Sequence, residues 1–159
     1  MWFYYYVNNV CHSTAQTIYA LKTIKAHGAD QRSICDLTRA TIVSKLTYCA
    51  PAWRGFTTAA EKTQLQSVLN RVVRWGLYNP SHPNLDQLCC KRDSDLFHTI
   101  LNNPNHVLHQ FLPPKKQQSY KLRPKAHNRT LPDKTSSLIS KTFFTRLLYN
   151  SLVNANSLS

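Results

Sequence analysis

The chain has 159 residues, with 20 Lys plus Arg against 7 Asp plus Glu and a net charge of +13. A chain of this length suggests a single folded domain that buries roughly 70% of its unfolded surface, and a hydrophobic content of 42% can fill such a core, which excludes wholesale disorder. No apolar run approaches the roughly 20 residues of a membrane span, and the apolar opening Met1–Val7 is too short, and lacks the basic flank, for a secretory signal; no membrane partner is expected.

Hydrophobic periodicity predicts helices almost throughout. The first runs from about Ser13 to His27, with Ile18, Leu21 and Ile24 at three-residue spacing and Gly28 as its left-handed stop. Asp30 caps the next, in which Cys35, Thr38, Ile42, Leu46 and Cys49 recur near every fourth residue until Pro51. Thr58 and Glu61 have the spacing of a capping box. They open a third helix with Leu65, Val68, Leu69 and Val72 on one face, Gln64, Ser67, Arg71 and Arg74 on another, and Gly76 at its end. A fourth starts at Asn84 and passes Leu85, Leu88, Leu96 and Ile100 before Asn102–Pro104, with Asp93 and Asp95 on its solvated side. A short helical turn over Asn105–Leu112 ends at Pro113–Pro114.

Composition then changes. Residues 115–146 carry nine basic residues and one acid, and 113–134 hold four prolines and few core-forming side chains, so this stretch is expected to be an extended arm. A last helix over about Thr135–Val153 presents Ile139, Phe143 and Leu147 and needs a partner surface. The expected fold is all-α: a small bundle of four to six helices with an extended, basic, Pro-containing arm and a C-terminal helix. Its organisation would be an unmatched start (1–6), a helical domain (7–112), the arm (113–134), the C-terminal helix (135–153) and a tail (154–159).

The charge imbalance reflects missing acid more than surplus base, since only 17% of residues are charged. Chemistry that needs convergent carboxylates is poorly supplied: Asp93 and Asp95 lie two apart, and such residues do not face each other on a helix. Only three glycines occur, and neither a nucleophile elbow nor a phosphate loop is present. Cys89, Cys90, His106 and His109 are the only plausible zinc set. Adjacent cysteines on a helix point about 100° apart, so no metal and no cofactor are expected. Five cysteines without framework spacing indicate an intracellular chain, and short basic clusters weakly suggest the nucleus.

A polyanion is the better-supported partner. Lys121, Arg123, Lys125 and Arg129 place four fixed charges within nine residues, beside Tyr120 and His127, whose rings can stack on bases. Arg71 and Arg74 can meet phosphates as bidentate donors. Trp53 and Trp75 are expected as core anchors.

Three stretches resemble one family in order. Leu46-Thr47-Tyr48-Cys49-Ala50-Pro51-Ala52-Trp53 is similar to the helix end and turn after the polymerase palm of non-LTR (LINE-type) retrotransposon reverse transcriptases of the jockey-like branch. Leu65-Gln66-Ser67-Val68-Leu69-Asn70-Arg71-Val72-Val73-Arg74-Trp75-Gly76 resembles their thumb helix, and Tyr120–Pro132 resembles an arm near the polyprotein end. The likeness covers about Val7–Tyr149. That family's polymerase carries paired aspartates that hold two magnesium ions, and this chain has no Asp-Asp pair. The resemblance therefore implies a thumb-like grip on RNA, DNA or an RNA–DNA hybrid, with no catalytic residue here and no small-molecule substrate. With Met1 just upstream of family-like sequence, the expectation is a start inside a decayed or truncated element or at an internal Met of a longer frame; the alternatives are part of a complete RNA-directed DNA polymerase whose palm lies upstream or in another chain, and an expressed remnant or protein-interaction module with no enzymatic role.

Overall fold

A computed structural model describes residues 2–116 and 128–156, with side chains for 4–116 and 128–150. In chain order the elements are α1 (Trp2–Ala26), α2 (Gln31–Thr38), a π-helical turn (Arg39–Val43), α3 (Ser44–Leu46), α4 (Ala50–Trp53), α5 (Ala59–Arg74), α6 (Leu85–Asn102), a 3-10 turn (Val107–Phe111), α7 (Ser137–Lys141) and α8 (Phe143–Asn156). The fold is all-α, as the periodicity indicates. The chain divides into two compact units: Met1–Ala50 with Thr57–Cys90, and Pro51–Phe56 with Lys91–Ser159.

In the first unit, α1 begins eleven residues before the expected start. Its buried stripe is Val7, Val10, Thr14, Ile18 and Leu21, whereas Ile24 faces solvent. Thr14 interrupts the apolar pattern but spends its hydroxyl on the Val10 carbonyl at 2.8 Å, so it can be buried. Asp30 caps α2 by accepting from Ser33 N–H at 2.9 Å. The helix expected from Asp30 to Pro51 runs without a break through the π turn to Leu46 and ends in a turn at Thr47–Cys49. One extra residue per turn shifts the inward face, and both Ile42 and Val43 are buried. Cys49 turns the chain at φ +50°, and Pro51 lies within the first turn of α4, where its missing N–H costs nothing. The capping box of α5 is formed in both directions, with Leu65, Val68, Leu69 and Val72 buried and Gly76 at φ +63° beyond its end. Each such burial contributes about 1.5–3 kcal/mol relative to exposure.

The second unit is organised around a charge. Asp93 was expected on the solvated face of α6, yet it is fully buried. It occupies the stripe Leu85, Cys89, Asp93, Phe97 and Ile100, whose four-residue spacing turns inward whatever residue stands there. Its Oδ2 accepts from Arg54 Nη1 at 2.9 Å and Arg146 Nη1 at 2.8 Å, while Oδ1 has no partner among the described residues. Arg146 also donates through Nε to Lys141 O at 3.2 Å and through Nη2 to Pro51 O at 3.3 Å. The first of these serves a carbonyl at the place where the expected C-terminal helix breaks: Thr142 is extended (φ −64°, ψ 152°), which divides the helix into α7 and α8. Gly55 is needed in this unit, because a Cβ there would lie 1.9 Å from Lys141 O. The partner surface that α8 requires is supplied by Phe97, Ile100 and Leu112, packed with Leu147 and Leu148.

Candidate nucleic-acid interface

Within the first unit, α1 and α5 run side by side in the same direction. Asn8 accepts from Gln64 at 2.9 Å near one end. At the other, Lys22 Nζ sits 3.3 Å above the Trp75 ring and Lys25 Nζ donates to Gly76 O at 2.8 Å. Two helix C-termini, each bearing partial negative charge, thus come together, with Lys22 and Lys25 of α1 at the end of α5, whose last turn carries Arg71 and Arg74. Between the two ends, burial pushes the Cys11 thiol pKa up, opposed by the neighbouring Arg71 guanidinium and a Gln64 hydrogen bond.

These cations are not equivalent. Lys25 is engaged with a carbonyl that also accepts from Gln31 Nε2 at 3.0 Å, and Lys22 is engaged with an indole face. Arg71 and Arg74, one turn apart on α5, are exposed and form no ion pair among the described residues. Arg74 in addition lines a cleft of about 400 Å3 between α5 and the segment 78–84. Trp75, expected in the core, is 48% exposed because it caps α5 beside Lys22, while Trp53 is buried as expected.

Of the arm residues proposed from sequence, Tyr120, Lys121, Arg123, Lys125 and His127 lie outside the described residues. Arg129 is described. Its Nη1 donates to Pro113 O at 2.8 Å, and its backbone faces Lys115 in an antiparallel bridge. Lys116 N donates to Asn128 O and Thr130 N to Pro114 O, each at 3.0 Å, so the segments on either side of 117–127 are paired to each other. The described ends of the expected extended arm thus form a paired neck. Arg129 has a structural task at that neck.

The histidines weighed as zinc ligands have other partners. His106 Nδ1 accepts from Leu108 N at 3.0 Å, and His109 Nδ1 pairs with Ile100 O at 2.7 Å. Among the described residues no group of three or more His, Cys, Asp or Glu could hold a metal ion. Sequence reasoning missed the cleft beside Arg74, treating Asn79-Pro80-Ser81-His82-Pro83 only as a gap between helices. The usable signal was its density of turn formers: Asn79 Oδ1 accepts from Ser81 N at 3.0 Å, which builds a fixed corner there.

No family model, curated protein or solved structure matches the chain.

Proposed function

We propose that the chain is a non-catalytic fragment of a LINE-type reverse transcriptase that holds template–primer nucleic acid through phosphate contacts, without strong sequence preference. The observation that carries this is the pair Arg71 and Arg74, exposed and unmatched by any acid among the described residues, within the stretch that resembles a thumb helix. Guanidinium forks suit bidentate phosphate contact, and such contacts position a strand rather than read its sequence. Lys121, Arg123, Lys125 and Arg129 are proposed as further phosphate contacts of the chain. Catalysis is assigned to no residue; the palm would belong to the remainder of the polymerase.

The test is a salt titration of binding to duplex DNA, RNA–DNA hybrid and single-stranded RNA. Log affinity should fall linearly with log salt, with a slope equivalent to about four to seven neutralised phosphates. The double variant Arg71→Ala/Arg74→Ala should weaken binding to every sequence alike and reduce the salt slope by about 2, roughly one per cation removed. An unchanged slope in that variant overturns the assignment to α5. Primer extension with magnesium should give no incorporation.

A further inference from the structure

The cleft beside Arg74 has a polar lining whose orientation is dictated by the backbone. Gln66 Oε1 accepts from Leu85 N–H at 2.8 Å, and an amide N–H can only donate, so the Gln66 oxygen is fixed there. Its Nε2 must then face Asn70 and donates to Asn70 Oδ1 at 2.8 Å. The Asn70 oxygen is thereby taken and its NH2 is left unspent. Asn84 is fixed by the same logic: its Oδ1 accepts from Gln87 N–H at 2.9 Å, which leaves its NH2 unspent. With the Arg74 guanidinium, the cleft therefore offers three groups that donate, and no carboxylate lines it. The remaining lining is Leu69, Val73, Pro80, Pro83 and the half-buried His82, whose ring is stacked on the buried Tyr78 at 4.0 Å between centroids with a 16° interplanar angle.

Donors without acids, one half-buried ring and a volume of about 400 Å3 suit an acceptor-rich planar ring joined to an anionic group. We infer that this cleft takes one unpaired nucleotide of a bound strand, with its base against the outer face of the His82 ring, its carbonyls on the Asn70 and Asn84 amides, and its phosphate on Arg74. A paired base presents its faces to its own stack and its edge to its partner, so the site selects the single-stranded part of a junction. The inference rests on the nucleic-acid reading above and sharpens it, since Arg74 would belong to both the phosphate track and the cleft.

The test compares a blunt RNA–DNA hybrid with the same hybrid carrying a three-nucleotide single-stranded overhang. Stacking one base on an aromatic wall is worth about tenfold in affinity, so the overhang should strengthen wild-type binding by about that factor. Two variants reduce the gain while keeping blunt-hybrid affinity: Asn70→Phe, at an exposed helix position, fills the cleft, and His82→Ala removes the ring on which the base stacks. Blunt-hybrid binding with no overhang gain, or a gain that survives in both variants, overturns the cleft and leaves the α5 interface standing. Wild-type protein that binds neither hybrid overturns both.

Discussion

In the unit formed by residues 1–50 and 57–90, the buried polar side chains are Thr14, Thr38 and Thr47, and two of them return their hydroxyls to the carbonyl one turn back in their own helix. The unit formed by 51–56 and 91–159 instead buries a full carboxylate, Asp93, between two guanidiniums. The first has eight basic residues against four acidic, the second twelve against three. Where acids are scarcest, one of the three is removed from the surface to organise the interior. A buried hydroxyl satisfied locally is nearly neutral, whereas a buried ion depends on partners distant in sequence, here 39 and 53 residues away.

The largest expected effect breaks that second unit. Asp93→Ala leaves two poorly solvated guanidiniums facing each other and should destabilise by about 3–5 kcal/mol. Hydrogen exchange should report the loss first in α8 and the second half of α6, while α1 and α5 stay protected; uniform loss would show that the two units do not open separately. In the first unit, Leu65→Ala should cost about 2–5 kcal/mol through the cavity it leaves, and protection should fall first in α1 and α5. Gly55→Ala comes next, at about 1–3 kcal/mol, because a Cβ 1.9 Å from Lys141 O forces the chain at 55 or at 141 to shift. Thermal unfolding of each variant reads all three.

What the sequence disclosed divides along the same line. The helices of the first unit are encoded by local rules: the Thr58–Glu61 box, the Asp30 cap, Gly28 and Gly76 at positive φ, and the Leu65-Val68-Leu69-Val72 face all form as the spacing implies. Where Thr14 broke the stripe, the start of α1 was missed, since only its bond to Val10 makes it a core residue. Asp93 shows the limit more sharply. Its position is on the inward period of α6, but residue type argued for solvent, and the arginines that reverse that argument are not its neighbours in the chain. The cleft beside Arg74 was hidden for a related reason: which amide atoms stay free is settled by the Leu85 and Gln87 N–H groups.

The smaller effects concern caps, where the first unit should behave as simply as its sequence does. Thr58→Ala removes an acceptor for Glu61 N–H and should cost about 1 kcal/mol. Asp30 supplies the last and most discriminating comparison. Hydrogen bonds from the Ser33 side chain and then its backbone N–H hold the Asp30 carboxyl below its ordinary pKa. A folded-state pKa below the unfolded one means that the ionised cap stabilises above the unfolded value of about 3.9, and that this contribution disappears as pH falls through the folded value. Asp30→Ala should therefore be less stable than the parent near neutrality, with the gap narrowing once pH drops below the ordinary carboxylate range. Asp30→Asn keeps an oxygen for Ser33 N–H but cannot titrate, so it should recover most of the loss at neutrality and show no such narrowing. Melting temperatures of the three proteins at the two pH extremes decide it: a gap between Asp30→Ala and the parent that is constant with pH would mean that the cap acts through its shape alone, with its charge irrelevant.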